Sequence, residues 1–71
     1  MLNDNEKARL VYEMTGKIKN QNHRSALLLQ MQGFSLAEIK EILLNDSVES
    51  IKTYIHRAKQ DLREIIRKEK T

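Results

Sequence analysis

The chain has no cysteine, no proline and no tryptophan, only two glycines, and three aromatic residues, Tyr12, Phe34 and Tyr54. Each scarcity removes a class of protein. Without cysteine there is no disulfide framework and no thiolate metal site. Without proline, and with so little glycine, there is little material for the tight turns of an all-β fold, and helices are favoured. The longest apolar run, residues 26–29, falls far short of the roughly 18 residues that a membrane span needs. Residues 1–7 are polar and acidic, without the basic start and apolar stretch of a signal peptide, so a soluble, cytoplasmic protein is expected.

Chemistry is equally sparse. No phosphate-cradling glycine loop, zinc-ligand spacing or nucleophile motif occurs. His23 and His56 lie far apart in sequence with no third ligand in view, so neither a metal nor any cofactor is expected. Glu38 and Glu41 sit one helical turn apart, but a helix cap accounts for Glu38, which leaves no acid/base pair. The reading is a protein that binds rather than an enzyme.

What is present is charge and helical periodicity. At 71 residues the chain is a single domain, residues 1–71, that buries only roughly 60% of its unfolded surface. The net charge is +3, and the surplus lies in residues 47–71, where seven bases face four acids. This permits a nucleic-acid partner without requiring one.

Four helices are expected. The first spans residues 4 to about 19, with Asn3 and Glu6 at capping-box spacing and Leu10, Val11, Met14 and Ile18 forming the apolar stripe. Asn20, Gln21 and Asn22 read as a loop. The second helix spans about 23–32, capped by Asn22 or His23. Its Leu27, Leu28 and Met31 face inward, and Gly33 stops it. The third begins after Ser35, with Glu38 completing a capping box and Phe34 placed to staple onto Ile39. Ile39, Ile42 and Leu43 form its apolar face. The fourth spans about 48–68, capped by Asp46 or Ser47, with Asp46 and Glu49 again at box spacing. Its Val48, Ile51, Ile55, Ala58, Leu62 and Ile65 form an unbroken seam at spacings of three and four. Leu62 and Ile65 are expected to pack on the first helix of the same chain rather than on a second copy.

Two capped helices joined by a short polar break, the second one basic, give the outline of a helix-turn-helix. The fold class is therefore all-α: a four-helix, helix-turn-helix domain with a long C-terminal recognition helix. In such a unit the second helix enters the major groove by its N-terminal half. Burying Val48, Ile51 and Ile55 leaves Glu49, Ser50, Thr53, Tyr54 and Arg57 pointing outward. Arg57 suits guanine or phosphate, and Glu49 can accept from a cytosine amino group. Lys52, His56 and Lys59 flank the strip within reach of phosphates, and Ser47 stands at its start. These nine residues form the candidate DNA-binding set. The remaining basic tail, including Arg63, Arg67 and Lys68, interleaves with Glu64 and Glu69 and reads as a solvated face.

Residues 24–63 also carry an ordered series: Gly33-Phe34-Ser35, Glu38-Ile39, Ser47-Val48, Ser50-Ile51-Lys52, His56-Arg57-Ala58 and Leu62-Arg63. This series resembles region four, the C-terminal domain, of bacterial RNA polymerase sigma factors. Residues 23–71 make up the similar part, and residues 1–22 carry no such signature. The chain departs from the family pattern at Lys40, where alanine is usual, and at Tyr54, often basic. Its turn Leu44-Asn45-Asp46 is one residue longer, with nine steps from Glu38 to Ser47 rather than eight, and lacks the family's glycine. The resemblance implies a module that binds the minus-35 promoter element through the major groove and docks on the β-subunit flap of RNA polymerase. It favours a monomer in the nucleoid, and since nothing here resembles region two, the chain is expected to be a fragment, half of a split sigma factor whose other subunit supplies region two, or a stand-alone protein using the fold otherwise. The alternatives are a small dimeric helix-turn-helix regulator of the LuxR type and an adaptor that binds polymerase without reading DNA.

Overall fold

A computed structural model describes residues 4–45 and 47–70, and every regular element among them is helical. The four helices are α1 (Asp4–Thr15), α2 (Gln21–Met31), α3 (Leu36–Ile42) and α4 (Val48–Lys70). Asn3 and Asp46 lie outside the described residues, and with them the two capping boxes expected at Asn3–Glu6 and Asp46–Glu49.

Helix α1 ends four residues before the expected position. Gly16 closes the last α-type bond onto the Tyr12 carbonyl at 3.2 Å, and the chain then tightens. The N–H groups of Lys17 and Ile18 donate to the carbonyls of Met14 and Thr15 at 3.0 and 3.1 Å, the narrower pattern common at helix ends. Leaving the helix lets Ile18 drop into the core, where it is 1% exposed. Thr15, fully buried, satisfies its hydroxyl by donating to the Val11 carbonyl at 2.7 Å. Val11 and Met14 are half-buried, whereas Leu10 faces solvent.

Helix α2 starts two residues earlier than expected, so Gln21 and Asn22 are helical rather than loop. Its cap is Asn20, whose side-chain oxygen accepts the His23 N–H at 3.1 Å. Arg24 secures the preceding loop by donating to the Ile18 carbonyl at 2.8 Å. Ala26 and Leu27 are buried and Leu28 is half-buried, but Met31, expected inside, lies at the surface.

Helix α3 follows its expectation closely. Ser35 accepts the Glu38 N–H at 3.2 Å, and the Glu38 carboxylate accepts the Ser35 N–H at 2.9 Å. The Ser35 N–H, donating to the Glu38 carboxylate, is the main cause that holds this carboxyl below the usual glutamate range; the Ser35 hydroxyl adds to it and desolvation opposes both. Ile39 is fully buried, but Ile42, expected on the same face, is half exposed. A helix of two turns presents only a narrow stripe to its neighbours.

Helix α4 packs against α1, α2 and α3, most extensively against α2. Ile51, Ile55 and Ala58 join Ile18, Ala26, Leu27 and Ile39 in one core, with Leu36, Leu43, Leu62 and Ile65 packed around it. Ala26 and Ala58 have no exposed surface, and their small side chains allow the α2 and α4 backbones to approach. The seam read from the sequence is thus used within the chain. At 23 residues, or about 34 Å, α4 outruns the other helices and sets the long dimension of a 41 × 22 × 14 Å body. No described helix is long and apolar enough to cross a membrane.

Candidate nucleic-acid interface

The link from α3 to α4 positions the candidate surface. Leu43 closes α3, and Leu44 then adopts a positive φ of 54°. Asn45 spans the link with both ends of its amide. Its oxygen accepts the Ser47 N–H at 3.0 Å, and its nitrogen donates to the Tyr54 hydroxyl at 3.2 Å. Ser47 caps α4, its hydroxyl accepting the N–H groups of Glu49 at 3.0 Å and Ser50 at 3.3 Å. The first turn of α4 is thereby fixed from both sides.

From this start, the period of 3.6 residues sorts the helix. Glu49, Lys52, Thr53, His56 and Arg57 all fall on the exposed face and line one shallow depression together with Gln60. Lys52 and His56 also line a second depression with Lys59, Ile55, Leu36 and Gln30 of α2. Six of the nine predicted residues, Glu49, Lys52, Thr53, His56, Arg57 and Lys59, line these two depressions, and Ser47 forms the cap. Ser50 is half-buried in the first turn. Tyr54 corrects the expectation of an outward side chain. It is half-buried against the core, its ring centroid lies 5.6 Å from that of His23, and its hydroxyl is engaged by Asn45. Gln60 follows His56 by four residues on the same face, a signal present in the sequence. Gln30 comes from another helix, and no local pattern points to it.

The charges on this face are unevenly committed. Lys52 pairs with Glu49 at 3.4 Å, on side chains that are both well exposed, an interaction of at most a few tenths of a kcal/mol. Thr53 donates its hydroxyl to the Glu49 carbonyl at 3.2 Å. Arg57 and Lys59 have no ion-pair partner among the described residues. The depression therefore presents the cations Lys52 and Arg57 with imidazole, amide and hydroxyl groups on a rigid helix, able to hydrogen-bond an anionic or polar surface, and one carboxylate, Glu49, that can only accept. No cluster of three metal-ligating side chains occurs among the described residues. His23 is the other notable polar group: its buried Nδ1 has no hydrogen-bond partner and lies 3.9 Å from the Asp61 carboxylate, beneath Tyr54 and away from the exposed strip. Searches with the sequence and the structure match no family model, no curated protein and no solved structure.

Proposed function

We propose that this chain is a DNA-binding module of the sigma region-four type, with α3, the 43–47 link and α4 acting as its helix-turn-helix. In this reading α4 enters the major groove of a minus-35 promoter element by its N-terminal half. Thr53 and Arg57 face base edges, and Lys52, His56 and Lys59 hold phosphates. The β flap of RNA polymerase is the protein partner, and another subunit supplies region two. One observation carries the reading: α3 and α4 each start on a serine cap, five residues separate them, and the exposed face of α4 gathers Glu49, Lys52, Thr53, His56, Arg57 and Gln60.

Packing supports a monomer over a LuxR-type dimer. Leu62 and Ile65, the residues best placed for a helix–helix dimer seam, are spent on the core of the same chain. With a net charge of +3, unaided binding to DNA should be weak and strongly salt-dependent, so a polymerase partner is part of the proposal. The test is duplex binding of the wild-type chain beside Arg57→Ala and Lys52→Ala at matched salt, with retention of polymerase β on the tagged chain measured in parallel. The expected result is a loss of DNA affinity in both variants with helical content unchanged. Unaltered affinity in both would overturn the DNA-reading half of the proposal, and polymerase retention without DNA binding would favour the adaptor.

A further inference from the structure

Helix α4 is about twice as long as a major-groove contact requires, and its second half sorts its charges in a way the sequence does not announce. That half carries three acids between residues 58 and 69, two of them, Glu64 and Glu69, in ion pairs. The Asp61 carboxylate lies 3.9 Å from His23. Glu64 holds the Arg67 guanidinium through both carboxylate oxygens, at 2.5 and 2.6 Å. Glu69 pairs with Lys17, at the end of α1, at 2.6 Å. Lys59 and Arg63, by contrast, are exposed and have no ion-pair partner among the described residues.

Their placement continues the candidate interface. Lys52, His56, Lys59 and Arg63 follow one another at spacings of four, three and four, so they form a single row along one flank of the helix. From Lys52 to Arg63 the row rises about 16 Å. It cannot swing away from the first half, because Leu62 and Ile65 pack on the core, Ile66 lies with Leu10 and Met14 of α1 in one groove, and the Lys17–Glu69 pair ties the far end.

We infer that Arg63, with Lys59, forms a second contact zone that grips successive phosphates along one strand without reading sequence. The inference rests on the DNA-binding reading above and adds Arg63 to it. Two cations without ion-pair partners, Lys59 and Arg63, held on a rigid helix beside Lys52 and His56, suit a nucleic-acid backbone, whose charges recur every few ångströms. Arginine suits this role because its planar fork binds two phosphate oxygens at once.

The experiment is the salt dependence of binding to a promoter duplex and to a scrambled duplex of equal length. The variants are Arg63→Ala, Arg63→Gln, the double variant Lys59→Ala/Arg63→Ala, and Lys19→Ala as a control cation on the α1–α2 loop. Each lost phosphate contact should reduce the slope of log affinity against log salt by about 0.9 and weaken binding about five- to tenfold near 0.1 M salt. The double variant should lose about twice that slope, equally on both duplexes, and Lys19→Ala should match the wild type. Circular dichroism of each variant establishes that α4 is intact. An unchanged slope in both Arg63 variants, with wild-type binding present, overturns the second zone and leaves the first-half reading standing. A loss confined to the promoter duplex overturns it too, since Arg63 would then read bases. Absence of wild-type binding to either duplex overturns both readings together.

Discussion

Helices α2 and α3 end in the same hydrogen-bond pattern but place different residues at the left-handed position. At the end of α2, the Gly33 N–H donates to the Gln30 carbonyl at 3.0 Å and the Phe34 N–H to the Leu29 carbonyl at 3.2 Å. At the end of α3, the Leu44 N–H donates to Glu41 at 3.2 Å and the Asn45 N–H to Lys40 at 2.9 Å. Both are Schellman closures. Gly33 sits at a φ of 97°, beyond the small left-handed region open to other residues, whereas Leu44 sits at 54°, within it. Leucine therefore tolerates the second turn, at a cost of about 1 kcal/mol, and would fit poorly in the first. Nor does Leu44 recover that cost by burial, since it is 89% exposed. What holds the second turn is its neighbour Asn45, which reaches both the α4 cap and Tyr54. The general lesson is that a hydrogen-bond pattern fixes the direction of the chain, while the φ value decides which residues can follow it.

That comparison can be broken by mutation. The largest effect is expected from Gly33→Ala. No atom stands within 4 Å of the added Cβ, so the loss, about 1–2 kcal/mol in denaturant unfolding, would be backbone strain alone. Stability unchanged within error would mean that the α2 end relaxes and the contrast is empty. Next, Asn45→Ala removes the bonds to Ser47 and Tyr54 and should lose about 1–1.5 kcal/mol by the same measurement. No loss there would mean that Leu44 holds the turn unaided. Leu44→Gly should act in the opposite sense and gain about 0.5–1 kcal/mol, a rise of several degrees in Tm for a domain of this size. A fall in Tm would show that the exposed leucine makes a contact that this comparison ignores.

The smallest effect concerns the start of α3. The carboxyl of Glu38 is held below the usual range, so the folded state binds fewer protons there than the unfolded state. Its contribution is complete above the ordinary glutamate range and fades as pH falls through the lowered value. Glu38→Gln should therefore be less stable than wild type at neutral pH, and the two melting curves should converge as acidification carries the carboxyl through its lowered value. Parallel loss of Tm with acid in both proteins would mean that the box is broken in solution.

What the sequence disclosed was local. The Ser35–Glu38 box, the stop at Gly33 and the α4 seam depend on residues within a turn or two of one another and are legible with their partners, whereas the α4 cap is legible only as a choice between Asp46 and Ser47. The errors arose where distant packing decides. Ile18 looked like a continuation of the α1 stripe because its spacing is helical, yet it leaves the helix to fill the core beside α2 and α4. Asn20 and Asn22 are chemically equal caps, and tertiary fit selects the earlier. Tyr54 looked exposed on a helical wheel, but His23 and Asn45 come from other segments and draw it inward. The candidate interface was legible to the same degree: Glu49, Lys52, Thr53, His56 and Arg57 share one helix and follow from its period. Gln30 and the pairing of Glu69 with Lys17 depend on three-dimensional placement.

The contacts of α4 with all three earlier helices bear on the order in which the domain can form. α1, α2 and α3 precede the helix that closes their common core, and Ile39, Ala26 and Ile18 bury their surfaces only once Ile51, Ile55 and Ala58 are beside them. A ribosome therefore releases three amphipathic segments before it releases the one that makes them a core. Until then they remain marginal helices, each near or below the length at which an isolated helix holds in water. The same helix that completes the fold carries the exposed strip from Glu49 to Gln60, so the proposed binding face and the folded state arrive in a single step of synthesis.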